Sequence, residues 1–346
     1  MHFSLTVVFA FTLISVCAAQ VKTLPVSQAM RPGWHSSVVK RPRKLPASQQ
    51  TLRPHKQPLP KYSQPLDHLL QRPVRPFQPF PWPLHDHRLS TVARDVKLRN
   101  YEDVGGLMVR HQPFEEAILQ PDSFEDTNFD GVLGLGSRGV FTDDEPSVFD
   151  NMVSQRLLPA PVFSLFLNRF NSSGPDSTLT IGGTNSDFYT GNFTFAPLTR
   201  SNRWQFELGG IKVSNHEGTI SPWGSYAEVD SATPLIVGPL EEVDALNLRL
   251  GGAPLPGFPR KFFFDCSEVH TLPDVQFIVN GQKLSLSSKD YIVKDRNGQF
   301  SCFSLIVGKK WREETPMWTL GSPFMRAFYT QFDKGNFRIG FAKAKH

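Results

Sequence analysis

Short apolar runs interrupted by glycine, proline, asparagine and aspartate recur from about residue 101 to the end of the chain. Residues 177–183 and 192–198 are two such runs, and each ends in turn-forming residues. Closely spaced runs of this kind are typical of β-strands joined by turns. No internal repeat of solenoid period is visible, which sets aside propellers and leucine-rich arrays. The sequence therefore predicts a large all-β domain.

Only a few segments have helical signals. Residues 146–158 place apolar side chains on one face, with Asp143 or Asp144 available as the N-cap. Residues 239–250 begin with proline and are followed by glycine, a usual stop signal. A Ser-Pro pair at Ser322 opens a third, very short helix. Helices are thus expected to be minor elements of the fold.

The start of the chain has the pattern of a cleaved secretory signal peptide, assigned to residues 1–19. A predominantly apolar stretch, residues 5–16, leads to the small residues typical of a cleavage site. The stretch is shorter than the ~20 residues that a membrane-spanning helix needs, and no other stretch of the sequence is long and apolar enough to form one. We therefore do not expect an integral membrane protein.

Residues 20–100 are predicted to form a disordered, Pro/Arg-rich basic leader. From residue 21 to 100 there are 13 of the 29 prolines, and 15 Lys or Arg against 3 Asp, a net charge of +12. Since the whole chain carries +5, the rest carries −7. Proline removes backbone donors and so disfavours regular structure. The leader is either a solvated tail or a propeptide across an acidic cleft. No nucleic-acid-binding motif accompanies its basic residues, so nucleic acid is not an expected partner.

Cysteines and glycosylation sequons agree with a secretory route. After removal of the signal peptide only Cys266 and Cys302 remain, and an oxidising compartment favours a disulfide between them. Two free buried thiols are the alternative. Sequons at Asn171 and Asn192 permit N-glycosylation on surface loops. The expected location is the secretory pathway, ending outside the cell or in a lysosome.

The segment 229–239 carries the most specific chemistry. An apolar strand delivers Asp230 into a tight turn, and a short apolar segment then leads into a predicted helix. Hydroxyl and backbone donors in such a turn suit a rigidly held carboxylate. Taken by itself, however, this pattern is more often a capped turn. The turn residues that follow the aspartate are Ser231, Ala232 and Thr233.

Four segments together resemble the pepsin-like (A1) aspartic proteases, and the cathepsin D group in particular. Residues 128–136 resemble the end of the first lobe, and residues 199–213 resemble the strand that enters the second lobe. Residues 229–239 resemble the catalytic turn of the second lobe, and residues 317–342 resemble the closing segments of the family. The resemblance implies a pepsin-like fold, with residues 101–160 as a remnant of the N-terminal lobe and 161–346 as a nearly complete C-terminal lobe. It also places Cys266 and Cys302 where the family has a second-lobe disulfide.

The resemblance also indicates what is missing. The family hydrolyses peptide bonds with two aspartates, one from each lobe, which share a proton and hold one water. By resemblance, Asp230 is the second-lobe aspartate, and Ser231 and Thr233 supply the hydroxyl groups that orient it. The first-lobe turn, Asp-Thr-Gly-Ser in most relatives, occurs nowhere in the sequence, and no flap with its tyrosine is recognisable. Most of the N-terminal lobe is therefore expected to be missing.

The retained turn departs from the family pattern at several positions. Ala232 replaces a glycine, Pro234 a small hydroxyl residue, Ser322 an aspartate and Glu228 an apolar residue. The sequence therefore predicts an aspartic-type endopeptidase family member for protein or peptide substrates that is impaired or inactive, unless a homodimer or a separate first lobe supplies the second aspartate. The competing hypothesis is a non-catalytic, peptide- or partner-binding pseudoprotease.

No cofactor or metal is indicated. The sequence His85-Asp86-His87 lies in the leader without further ligands nearby, so a chance cluster is favoured. No glycine loop of the phosphate-binding type and no Gly-x-Ser-x-Gly elbow is present. With no cysteine beyond the expected pair, a thiol nucleophile is not predicted either.

Overall fold

A computed structural model of the chain describes residues 22–25, 93–104, 106–117, 134–136, 146–169, 175–221, 224–255, 261–294, 301–310 and 317–346. Several predictions made from the sequence lie outside these residues. They are the signal peptide, most of the leader with its His-Asp-His cluster, Asn171 and most of the block at 128–136.

The described residues form 19 strands and four α-helices. The strands are β1 Lys22–Pro25, β2 Ala93–Asp103, β3 Met108–Ala117, β4 Val162–Phe166, β5 Thr178–Ile181, β6 Tyr189–Pro197, β7 Gln205–Val213, β8 Ser225–Val229, β9 Ile236–Pro239, β10 Ala253–Pro254, β11 Phe262–Asp265, β12 Val275–Val279, β13 Gln282–Leu286, β14 Ile292–Lys294, β15 Ser301–Ser304, β16 Ile306–Lys309, β17 Met317–Leu320, β18 Phe328–Asp333 and β19 Arg338–Ala344. The helices are α1 Val148–Ser154, α2 Leu240–Arg249, α3 Ser288–Tyr291 and α4 Ser322–Ala327, with short 3-10 turns at Ser186–Phe188 and Val269–Thr271.

The strands form three sheets and a hairpin, which confirms the predicted all-β fold. A six-stranded antiparallel sheet has the order β1-β5-β4-β18-β19-β6, and a four-stranded sheet has the order β10-β11-β15-β14. The third sheet has seven strands in the order β13-β12-β7-β8-β17-β9-β16, and β2 pairs with β3.

The seven-stranded sheet contains the connection that positions the site. Strands β8 and β9 follow each other in sequence but are not neighbours, because β17 lies between them. Strand β17 runs parallel to β8 and antiparallel to β9, and β9 runs parallel to β16. The turn from β8 to β9 must therefore pass around the carboxyl end of β17.

All three predicted helices are present, but α1 ends at Ser154 instead of residue 158 and has a different N-cap. Helix α1 begins after Ser147, whose hydroxyl accepts a hydrogen bond from the Asp150 amide at 3.1 Å. The predicted cap, Asp143 or Asp144, was wrong, because the serine and the carboxylate of Asp150 form a reciprocal capping box. Helix α2 ends before Gly251, whose φ of +88° suits glycine at a helix terminus.

The predicted remnant of the N-terminal lobe shares its core with the rest of the chain. Phe149 of α1 contacts Phe163 of β4, with ring centroids 4.8 Å apart. Phe163 in turn stacks on Phe332 at 4.5 Å and meets the edge of Trp204 at 5.5 Å. The boundary predicted at residue 160 thus falls within one continuous hydrophobic cluster.

Two parts of the predicted leader form strands. Residues 22–25 are β1, which pairs antiparallel with β5 at the edge of the six-stranded sheet. Strand β2 begins at Ala93 and continues across the predicted boundary at residue 100. Both ends of the segment that was predicted to be a disordered leader are therefore paired in strands.

Cys266 and Cys302 form a disulfide with their Cα atoms 5.3 Å apart. The bond joins the end of β11 to β15, which are already neighbours in the four-stranded sheet. Among the described residues, no helix is long and apolar enough to cross a membrane.

Candidate active site

Asp230 lies in a turn that holds its carboxylate from two directions. The turn follows β8, and the half-buried Asp230 comes directly after the last residue of that strand. One carboxylate oxygen, Oδ1, accepts a hydrogen bond from the Ala232 amide at 2.9 Å. The other, Oδ2, accepts a hydrogen bond from the Thr233 hydroxyl at 2.5 Å. Both oxygens are therefore fixed by donors within three residues, which orients the carboxylate.

The carboxyl end of β17 locks the same turn from behind. The Asp230 amide donates to the Leu320 carbonyl at 3.2 Å, and the Ser322 amide donates to the Thr233 carbonyl at 2.8 Å. Gly321 lies between these two bonds. A Cβ atom at this position would stand 2.1 Å from the Leu235 carbonyl oxygen and 2.2 Å from that of Thr233. The absence of a side chain at Gly321 is thus a condition for the turn to close.

The structure brings together only part of the predicted set of turn residues. Thr233 and Ala232 both donate to Asp230, the threonine through its side chain and the alanine through its backbone. The Ser231 hydroxyl, which was expected to orient the carboxylate, makes no hydrogen bond within the described part of the chain. Its side chain is half-buried, as are those of its neighbours in the turn.

A buried arginine lies behind the turn. Arg326 of α4 donates from Nη1 to the Ser322 hydroxyl at 3.1 Å. Burial lowers the pKa of this guanidinium to about 10, with the nearby charge of Asp290 acting in the opposite direction. The group nevertheless stays protonated at neutral and acidic pH. Ser322 therefore serves as a neutral acceptor for this cation.

An ion pair beside Asp230 was not expected from the sequence. Arg203 Nη1 lies 3.2 Å from Glu228 Oε2, and Glu228 precedes Asp230 by two residues. The sequence drew attention to Glu228 but gave it no partner. A carboxylate on a half-buried strand face requires a nearby cation or hydrogen-bond donor. The position of Glu228 therefore indicated that it has a partner, but not which residue that partner is.

No group of three or more His, Cys, Asp or Glu side chains is arranged to hold a metal ion in the described residues. Asn192 has an exposed side chain but lies within strand β6, not on a loop as predicted.

Comparison with known proteins agrees with this geometry. The sequence model of the family described as eukaryotic aspartyl protease matches residues 98–344. Cathepsin D of Clupea harengus is 38% identical over 244 residues, which cover 70% of this chain and 61% of the relative. Cathepsin E of Rattus norvegicus is 36% identical over 244 residues, covering 70% and 60%. Cathepsin D of Rattus norvegicus is 36% identical over 245 residues, with the same coverage.

The chain thus spans about three fifths of the length of these curated relatives. The matched region extends from β2 to β19 and includes the Asp230 turn, the strand that locks it and the disulfide. Because the family match covers most of the chain and includes strands β3 to β19 in full, the chain belongs to the eukaryotic aspartyl protease family.

Proposed function

We propose that Asp230 is the second-lobe catalytic carboxylate of an aspartic endopeptidase site, and that this chain by itself has little or no peptidase activity. The observation that carries the first part is the fixed carboxylate, held by the Ala232 amide and the Thr233 hydroxyl. A carboxylate oriented in this way is prepared to accept a proton from a water molecule. Its substrates would be proteins or peptides.

The second part follows from the chemistry of peptide hydrolysis. Attack of water on the carbonyl needs a base to take the proton of the water and an acid to protonate the leaving nitrogen. A pair of aspartates that shares one proton performs both tasks. The sequence holds no second turn of the Asp-Thr-Gly type, so Asp230 supplies the base without its acid. Loss of one general acid or base typically costs about 10²–10⁴ in rate.

Local departures from the family pattern support the same conclusion. The side chain of Ala232 occupies a position that relatives leave to glycine, where the two catalytic loops approach each other closely. By the same resemblance, Pro234 removes a hydroxyl group from the site, and Ser322 replaces a carboxylate by a neutral hydroxyl. A second copy of the chain or a separate first lobe would restore the missing aspartate only by approaching this altered turn.

The direct test is hydrolysis of an acid-unfolded protein between about pH 3 and 6, the range in which paired aspartates act. The mature chain is compared with Asp230→Ala and with Asp176→Ala, which removes an exposed carboxylate before β5. New termini are counted by mass spectrometry. We expect none of the three proteins to exceed the background.

Cleavage by wild type and Asp176→Ala, but not by Asp230→Ala, would contradict the proposed impairment and require a second carboxylate. A dilution series then identifies its source. Specific activity that falls on dilution indicates a second copy of the chain, and constant specific activity indicates another segment of the same chain.

The alternative function is a pseudoprotease that binds a peptide or partner without cleaving it. The observation that favours it is that the Asp230 turn is fully formed although its catalytic partner is absent from the sequence. A binding surface needs the ordered turn but not the second aspartate.

We also propose that the chain enters the secretory pathway, ends outside the cell or in a lysosome and carries N-linked glycans at Asn171 and Asn192. The signal-like start and the disulfide support this location. Removal of N-glycans from the protein produced in a secretory host is expected to lower its apparent mass in two steps. Asn192→Gln should abolish one step, and an unchanged pattern in this variant would contradict glycosylation at that residue.

A further inference from the structure

We propose that the Arg203–Glu228 ion pair selects the substrate side chain that lies next to Asp230, favouring amide side chains over apolar ones. This inference rests on the proposed function, in which a peptide lies over Asp230. It concerns a pair of residues that the catalytic chemistry itself does not use.

The strand geometry places Glu228 on the same face as Asp230. Along β8, buried Ser225, Ala227 and Val229 alternate with half-buried Tyr226 and Glu228. The Asp230 amide continues the pairing with β17, so the alternation extends to Asp230. Two residues apart on one strand correspond to ~6.6 Å, about the spacing between alternate side chains of an extended peptide. A peptide bound over Asp230 therefore has another side chain within reach of Glu228.

The partner of Glu228 is held in place by its own neighbours. Arg203 directly precedes Trp204, which is buried and donates from its indole to the Leu135 carbonyl at 2.9 Å. The Trp204 carbonyl accepts a hydrogen bond from the Val229 amide at 3.2 Å, which ties this segment to the end of β8. The backbone beside Arg203 is therefore held at the end of β8, and from there the guanidinium reaches Glu228.

The pair remains accessible to a ligand. The Arg203 and Glu228 side chains are 38% and 24% exposed, and within the described residues Glu228 is the single acceptor for the Arg203 guanidinium. Together the two side chains present hydrogen-bond donors and a carboxylate side by side.

An ion pair of this kind discriminates between substrate side chains by solvation. An apolar side chain placed over it would remove water from both charged groups without replacing the hydrogen bonds. A charged side chain is attracted by one partner and repelled by the other. The amide of glutamine or asparagine offers one acceptor and two donors, and so matches both partners at once.

The test uses two fluorescein-labelled octapeptides that differ only in having glutamine or leucine at their two central positions. Binding to the full mature chain is measured by fluorescence anisotropy at about pH 5. We expect wild type to bind the glutamine peptide about fivefold or more tightly than the leucine peptide, the scale of one unsatisfied buried polar group. The double variant R203M/E228L should abolish or reverse this preference.

The double variant is expected to fold, because replacing both members of a partly buried ion pair by apolar residues is often neutral for stability. Circular dichroism checks this. The matched control E241L/R249M removes one charge of each sign from exposed positions on α2 and should keep the wild-type preference. Equal affinities in wild type, or a preference kept by R203M/E228L, would overturn this inference but leave the role of Asp230 standing. Failure of wild type to bind either peptide would overturn both.

Discussion

Replacing Gly321 with alanine is expected to lower the free energy of unfolding by about 3 kcal/mol or more, the upper range for overpacked sites. The cause is purely steric. Gly321 has a φ of −86°, which alanine adopts without strain, but the new Cβ atom would stand 2.1 Å from the Leu235 carbonyl oxygen. Because that oxygen belongs to the backbone of the Asp230 turn, relief of the clash must separate the turn from β17. Urea unfolding followed by tryptophan fluorescence measures the effect.

Gly134→Ala is the matched control for this experiment. A Cβ atom at Gly134 meets no atom within 4 Å, so the same chemical change there should alter the unfolding free energy by no more than about 0.5 kcal/mol. If Gly321→Ala unfolds at the same urea concentration as this control, the turn and β17 are not packed as described.

Removal of the disulfide by Cys266→Ser with Cys302→Ser is expected to cost about 3–4 kcal/mol. The two cysteines are 36 residues apart, and a cross-link of this loop length restricts the unfolded chain by that amount in the chain-entropy description. The native strands should persist, since β11 and β15 are also joined by backbone pairing. The measurement is the urea midpoint of the double variant beside that of wild type.

Reduced wild type provides the internal control, because it lacks the bond but keeps both sulfur atoms. Its midpoint should lie close to that of the double variant. A reduced protein as stable as the oxidised one would show that the bond adds nothing to the pairing of β11 with β15.

Local patterns in the sequence were sufficient to predict the class of the fold and the tight turn at Asp230. The runs at 178–181 and 189–197 are strands, because a short run of alternating apolar residues between turn-forming residues has few other ways to bury its apolar face. The turn at Asp230 was predictable for the same reason, since small and hydroxyl residues after an apolar strand favour a tight, internally bonded turn.

The remaining features depend on contacts between residues far apart in sequence. Nothing near residue 320 indicates that β17 inserts between β8 and β9, because that position is set by pairing with both strands. The partner of Glu228 lies 25 residues earlier in the chain, and several other cations were equally available. The cap of α1 was missed for a smaller reason, since two acids nearby in sequence offered the same chemistry as Ser147.

The order of strands in the six-stranded sheet has a consequence for how the protein is made. Strands β18 and β19 lie between β4 and β6, so the centre of the sheet is supplied by the last strands to leave the ribosome. About 130 residues separate the end of β6 from the start of β18, which at ~5–20 residues per second corresponds to on the order of ten seconds. Throughout that interval β4 lacks one of its two neighbours, and β6 lacks its partner in the sheet. We therefore expect the nascent chain to expose strand edges for longer than a fold with local strand pairing would.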